Sequence, residues 1–232
     1  MLDCAFPYLV AIVAANDYIC VGSIVAPRWI LTAAHCVDNF RNTPIYVRAG
    51  SPYRNRGGTR IRVLTVHIHP NYSAQVQNFD VGLLMLERNI KLDKCSQCIS
   101  MAANGFMPSI GSMGLISGWG RTDPYSDKYQ EKVQKTYIPI ISKMECKHYY
   151  SRYVISRNVF CAQYRKGGYD ACHGDSGAPF ILDRKVVGIV SWGVGCGQGG
   201  QPGVYASVGS MRPWIDFVIR QESHTPSDLE CS

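Results

Sequence analysis

No stretch of this chain is long and apolar enough to suggest a membrane span. Crossing a bilayer takes roughly 18 unbroken apolar residues, and the longest candidate, residues 8–14, runs straight into Asn16 and Asp17. That stretch follows Asp3 and Cys4 and has no basic residue before it, so it is not read as a secretory leader. Repeats and low-complexity segments are also missing, which excludes a repeat array. A second Cys-x-x-Cys is missing too. Cys95-Ser-Gln-Cys98 stands alone, and a metal site of that type needs clustered Cys/His pairs, so no metal is expected.

The 232 residues suffice for one large all-β domain or two small ones. Hydrophobic residues make up 46% of them, enough to bury a core. The net charge of +7 favours solubility and some affinity for acidic surfaces, not nucleic-acid binding. Ten cysteines, an even number spread along the whole chain, favour disulfides formed in an oxidising compartment, hence a secreted, extracellular protein.

Short apolar or alternating stretches recur between Gly, Pro, Asn and Ser, the pattern of an all-β fold. Residues 60–69 alternate with period two, as a half-buried antiparallel strand does. Two helices are expected, over about 142–150 and 210–221. In the second, Trp214, Ile215, Phe217 and Val218 form an apolar stripe. Residues 223–232 form a polar tail that Cys231 can tie down. Asn71-Tyr-Ser73 is the one glycosylation sequon.

Three short segments carry chemistry. Gly174-Asp175-Ser176-Gly177 presents a hydroxyl between glycines. Such a hydroxyl is a nucleophile only when a base takes its proton and N–H groups hold the resulting oxyanion; by composition alone the segment is also an ordinary turn. His35, in Thr32-Ala-Ala-His-Cys36, is a base that a neighbouring cysteine can lock, or a plain core histidine. Asp80 heads the apolar run Asp80-Val-Gly-Leu-Leu84 and is an orienting acid or a strand-end cap.

Together, in the order His, Asp, Ser, these flanks resemble the chymotrypsin/trypsin family of serine peptidases over about residues 7–221. The supporting motifs are Trp29-Ile-Leu-Thr-Ala-Ala-His-Cys36, Ile116-Ser-Gly-Trp-Gly120, Asp170-Ala-Cys-His-Gly-Asp-Ser-Gly-Ala-Pro179, Val190-Ser-Trp-Gly193 and Pro202-Gly-Val-Tyr205. The resemblance implies an all-β peptidase domain over residues 1–222. It would hold two antiparallel six-stranded β-barrels, at about 7–100 and 110–208, and a C-terminal helix at about 210–221.

It also implies roles. Ser176 is the nucleophile, His35 the base and Asp80 its orienting acid. The N–H groups of Gly174 and Ser176 form the oxyanion hole, and Ser191 helps hold the acid. Ser191, Trp192 and Gly193 pair with the substrate backbone. Asp170 is the floor of a pocket for substrate Arg or Lys, with Gly193 and Gly203 as open walls. Ala171, where a hydroxyl residue is frequent, favours Arg over Lys. His173 sits at the rim. The implied disulfides are Cys20–Cys36, Cys146–Cys161 and Cys172–Cys196; Gly114 and Leu182 stand where many relatives have another. Cys4 is expected to pair with Cys95 or Cys98, and Cys231 with the other.

No cofactor is implied. The expected partners are protein or peptide substrates and protein inhibitors, and the expected state is a monomer. Family members are activated when a cut frees an Ile-Val-Gly-Gly-type terminus whose ammonium pairs with the residue matching Asp175. This chain opens Met1-Leu-Asp-Cys4, so the sequence is expected to lack its first segment, and a chain beginning at Met1 is expected to be nearly inactive. The alternative is a silent, zymogen-like homologue that serves as a binding module. No Asp or Glu occurs between Asp38 and Asp80, so no calcium is expected in the loop over 50–59. Arg41, Arg48, Arg54, Arg56, Arg60 and Arg62 fall there instead. Such a run is commonly a solvated face; some family members carry an anion-binding exosite at this place, which makes an acidic partner the sharper reading.

Overall fold

A computed structural model describes residues 4–40, 43–123, 125–223, 225 and 228. Strands β1 (Leu9–Ala14), β2 (Asp17–Ala26), β3 (Trp29–Thr32), β4 (Ile45–Ala49), β5 (Thr59–Ile68) and β6 (Gly82–Leu86) close into an antiparallel barrel in the order β1-β2-β3-β6-β5-β4. A two-residue turn joins β1 to β2. Ala15 and Asn16 there have φ of 50° and 69°, the left-handed pair that matches strand twist in a tight hairpin. In β5 the period-two expectation holds at its start: Ile61 and Val63 are buried, whereas Arg60, Arg62 and Leu64 face solvent.

After the short strand β7 (Ser100–Met101) come β8 (Met113–Gly118), β9 (Gln134–Ile141), β10 (Val159–Ala162), β11 (Pro179–Leu182), β12 (Lys185–Trp192) and β13 (Gly203–Ser207). These six form a second antiparallel barrel, closed where β11 pairs with β12, and β7 adds to β12 in parallel. Leu182 and Gly114 each lie one residue beyond the register Phe180↔Ile116, Ile181↔Leu115. A Cβ on Gly114 would collide with the Phe180 ring, so packed apolar atoms fill the space of the absent disulfide.

Helix α1 (Lys143–Tyr149) is capped by Ser142, whose side chain accepts from Glu145 N–H at 3.0 Å. Helix α2 (Val208–Glu222) starts two residues before its expected position because Ser207 caps it. Pro213 lies inside it and cannot donate to the Gly209 carbonyl. Gly105 N–H, from the connection between the barrels, fills that role at 2.9 Å. Arg212 ties the same connection to α2 through the Ala102 carbonyl at 2.6 Å. Among the described residues no helix is long and apolar enough to cross a membrane.

The disulfides Cys20–Cys36, Cys146–Cys161 and Cys172–Cys196 are formed as expected. Cys4 pairs with Cys95, joining the start of the described chain to the segment that leaves the first barrel. Cys98 is also disulfide-bonded. Its expected partner, Cys231, lies outside the described residues, as does Arg41.

Candidate active site

Thr32 at the end of β3 pairs with Gly82 at the start of β6. The two chains therefore leave the first barrel side by side, one into a 3-10 turn over Ala34–Cys36 and the other back through Val81 to Asp80. This brings His35 to Asp80. One carboxylate oxygen accepts the His35 backbone N–H at 2.9 Å, and the other lies 2.8 Å from Nδ1. An ionised carboxylate only accepts, so Nδ1 carries the ring proton and Nε2 keeps its lone pair. Burial disfavours the imidazolium, but the hydrogen bond and the charge of Asp80 outweigh it, and the His35 pKa is raised.

Asp80 is buried, and its third partner comes from the other barrel. Ser191 Oγ donates to it at 2.5 Å. The ladder between β12 and β13 slips between Val190 and Trp192, and Ser191 is the residue at that bulge, re-aimed as bulged residues are.

The Ser176 segment crosses in the opposite direction. Val21 N–H, on β2, donates to the Ser176 carbonyl at 2.9 Å, and Gly177 N–H donates to the Val190 carbonyl at 2.9 Å. Gly177 has φ of 79°, and a Cβ there would lie 2.3 Å from Val21 O and from Thr32 Oγ1. Glycine is thus required for Ser176 to dock against the strand end that leads to His35. Arg121 N–H donates to the His173 carbonyl at 2.9 Å. That peptide is trans, since the chain has no cis bonds, so the Gly174 N–H points away from Arg121.

Ser176 also lines a cavity of about 150 Å³ whose other walls include Asp170, Ala171, Trp192, Gly193 and Gly203. The Asp170 carboxylate accepts from Ala171 N–H at 2.8 Å and Gly197 N–H at 3.2 Å. Burial dominates over those hydrogen bonds and pushes its pKa up to about 7. A Cβ on Gly203 would sit 3.0 Å from that carboxylate, and one on Gly193 would lie 3.7 Å from the Gly203 backbone. Any side chain at either position would fill the slot above the acid. Trp192 rests on Tyr150 and Tyr153, with ring centroids 5.0 Å and 5.3 Å apart. His173 is exposed, its Nδ1 3.6 Å from the Cys196 sulfur.

Asp175 lies under the Ser176 segment, beside a second cavity of about 250 Å³. Its carboxylate accepts from Gly120 N–H at 2.8 Å and Cys172 N–H at 3.1 Å. Burial raises its pKa to about 6.

Two residues here escaped the sequence reading. Tyr205 turns its buried hydroxyl toward the Asp170 floor: it and an Asp170 oxygen lie 2.8 Å and 3.0 Å from one point, the Cβ that Gly203 lacks. Tyr18, on β2, donates its hydroxyl to the Gly174 carbonyl at 2.5 Å. Tyr205 lay within a quoted motif, Pro202-Gly-Val-Tyr205, and a tyrosine two residues beyond the pocket-wall glycine was a usable signal. Tyr18 had none.

Comparison with known proteins agrees with this architecture. The family model described as Trypsin matches residues 3–215. "Trypsin 5G1" of Aedes aegypti is 37% identical over 204 residues, 88% of this chain and 76% of the relative. "Trypsin" of Simulium vittatum is 38% identical over 187 residues, 80% and 75% of the two chains. "Vitellin-degrading protease" of Bombyx mori is 32% identical over 214 residues, 92% and 81%. With two closed barrels, a C-terminal helix and a family match over nearly its whole length, this chain belongs to the trypsin family of serine endopeptidases.

Proposed function

We propose that the protein cuts polypeptides after Arg, and less readily after Lys, with Ser176, His35 and Asp80 as the catalytic residues. The observation that carries this reading is the cavity that has Ser176 on its wall and the buried carboxylate of Asp170 on its floor. A buried acid held only by neutral donors gains most from a cation, and a guanidinium reaching the floor can bond to it twice. Ala171 has no hydroxyl to bond a shorter ammonium, which favours Arg.

With Arg seated, Ser176 Oγ attacks the carbonyl carbon of that Arg residue while His35 Nε2 takes the hydroxyl proton. The carbonyl π electrons move to oxygen, and the N–H groups of Gly174 and Ser176 hold that oxyanion. The imidazolium returns its proton to the leaving amine as the C–N bond breaks, leaving an acyl-enzyme. Water then repeats the cycle and releases the acid. Asp80 fixes the tautomer and stabilises the imidazolium, and Ser191 holds Asp80. Residues 191–193 pair with the substrate backbone. Every proton is carried by the chain's own groups, so the sequence of steps calls for no cofactor. Asp175, held by the Gly120 and Cys172 N–H groups beside its cavity, takes an ammonium in the active form. The disulfides suit an extracellular enzyme.

The test is a set of peptide substrates ending in Arg, Lys, Phe or Ala before the scissile bond. The expected order is Arg, then Lys, with the others far slower; faster turnover of the Phe substrate refutes the reading, as does turnover by Ser176→Ala.

The outer face of β4 and β5 supports an acidic partner as well. Arg48 stands directly opposite Arg60, and Arg62 opposite Tyr46. The Arg60 guanidinium lies 3.9 Å from the Tyr46 ring centroid and that of Arg56 4.2 Å from the Tyr53 centroid. Like charges facing each other across a ladder oppose folding, so an anionic ligand spanning them gains by relieving that repulsion.

A further inference from the structure

Strand β2 touches the catalytic apparatus three times within four residues. Tyr18 donates to the Gly174 carbonyl, Cys20 is bonded to Cys36 beside His35, and Val21 donates to the Ser176 carbonyl. The tripeptide over 174–176 is therefore gripped at both ends by one strand of the opposite barrel, and of the two carbonyl contacts only Tyr18's is made by a side chain. That phenol is held closely. Its ring packs edge-on against Trp119 and Tyr129, at centroid distances of 6.4 Å and 5.5 Å, and the Arg54 guanidinium lies 5.2 Å from its centre. Tyr129 closes the other side: a Cβ on Gly174 would lie 2.7 Å from its ring.

Gly174 has φ of 95°, which leaves the peptide planes on either side of it free to rotate unless something outside the loop fixes them. Arg121 N–H holds the plane before it through the His173 carbonyl; the plane after it is held at its carbonyl by Tyr18 and at its N–H by the Cys172 carbonyl, 2.9 Å from Asp175 N. Asp175, next along, is held by Gly120 and Cys172 N–H groups from below. We propose that Tyr18 is a positioning residue for the oxyanion hole, its hydroxyl locking the Gly174–Asp175 peptide so that the N–H groups of Gly174 and Ser176 converge on one point. The proposal rests on the peptidase reading above and adds to it the group that sets the geometry of the transition-state site.

Loss of the donor leaves the Gly174 carbonyl without its partner and its peptide held only through the Asp175 N–H, which predicts a defect in the transition state and not in substrate binding. In the active mature protein, Tyr18→Phe is expected to lower kcat about 10- to 100-fold with KM within about twofold of wild type. Affinity for an Arg-ending peptide aldehyde, whose adduct places an oxyanion in the hole, falls by the same factor. Affinity for benzamidine, which needs only the Asp170 pocket, stays unchanged. Tyr18→His keeps a ring donor and is expected to lie between the two. If Tyr18→Phe does not fold, Tyr18→His alone decides, because its change in kcat must equal its change in aldehyde affinity at constant benzamidine affinity. Wild-type kcat and aldehyde affinity in Tyr18→Phe overturn the proposal; so does a parallel loss of benzamidine affinity, which marks a general structural role. Ser176→Ala separates the two levels: turnover there removes the peptidase reading itself, whereas an inert Ser176→Ala beside a fully active Tyr18→Phe removes only the role of Tyr18.

Discussion

Asp80 and Asp170 are both buried carboxylates, one from each barrel, and the protein treats them differently. Asp80 is met by a backbone N–H, an imidazole and a hydroxyl, all within 2.9 Å. Asp170 has two backbone N–H groups and the nearby Tyr205 hydroxyl, all of them neutral, and an open cavity. A carboxylate that the fold supplies with partners serves to hold something else in place, here the His35 ring. One that the fold leaves short of a cation is costly as it stands, and its free energy is recovered when a ligand brings the charge. The contrast suggests reading Asp80 as architecture and Asp170 as recognition.

The sharpest way to break that contrast is to remove the charge from Asp80. Asp80→Asn keeps the size but lets the amide donate, so His35 is free to hold its proton on Nε2 and can no longer act as base. We expect kcat to fall on the order of 100- to 10,000-fold with little change in benzamidine affinity. The check is kcat on an Arg substrate beside benzamidine titration. A comparable loss in benzamidine affinity would show that the two acids are not separable.

Asp170→Asn should do the reverse. Loss of the buried charge-assisted pair is expected to weaken benzamidine and cut kcat/KM on Arg substrates roughly 100-fold or more, while the rate of His35-assisted labelling of Ser176 by an uncharged phosphonate changes little. Comparing those two rates in one preparation tests it.

A titration sharpens the same comparison. Asp170 has a raised pKa of about 7 in the empty pocket, so protonation below that pH opposes cation binding. Benzamidine affinity is expected to fall about tenfold per pH unit below about 7. For stability the sign is opposite. An acid whose folded pKa is raised contributes stability below its unfolded value near 3.9 and loses it as pH rises toward about 7. Bound benzamidine should therefore raise Tm more at pH 8 than at pH 5. The raised pKa of His35 adds a fall in kcat/KM on the acid side, through loss of free base, that benzamidine binding does not share.

How much of this was legible beforehand follows from what each residue's neighbours in sequence could reveal. His35, Asp80, Ser176 and Asp170 sit in motifs whose flanks also carry the family resemblance, and the strand starting at Thr59 shows its alternation openly. Less was readable where a residue's partner is distant in sequence. Tyr18 reaches Gly174 across 156 positions, and nothing near it signals that contact. The left-handed turns at Ala15-Asn16 and Asp183-Arg184 contain no glycine, so Asn16 and Asp183 mark a break in an apolar run without fixing the turn type. The helix expected over 210–221 runs through Pro213 because a residue far off in sequence, Gly105, satisfies the carbonyl that the proline leaves open. The pairing of Cys4 was undecided because Cys95 and Cys98 are too close in sequence to distinguish.

The smallest effect tests whether the contrast extends to charges of the other sign. Like Asp170, Arg48 and Arg60 are met by neutral partners and, among the described residues, by no opposite charge: Arg48 donates to the Gly57 carbonyl and Arg60 to Asn16 Oδ1. Arg48 faces Arg60, and the Arg48 pKa is lowered, first by burial and then by Arg60. Replacing Arg60 with Gln removes that repulsion, worth about 0.2–1 kcal/mol for a cross-strand pair. It also removes the stacking on Tyr46, worth about 0.5–1 kcal/mol at an exposed site. These nearly cancel, so the urea midpoint should move little. Binding of a polyanion should not be so indifferent. Heparin as the probe is expected to bind with a steep salt dependence, and each arginine that neutralises an anionic group should reduce the slope by about one when replaced. Arg60→Gln and Arg62→Gln together should flatten the plot by about two, with turnover of small Arg substrates unchanged, whereas Arg152→Gln on the far barrel should leave it alone. Equal slopes in all three would make this face a solvated surface, and the rule that unmatched charge marks a binding site would then hold for Asp170 and not for the arginines.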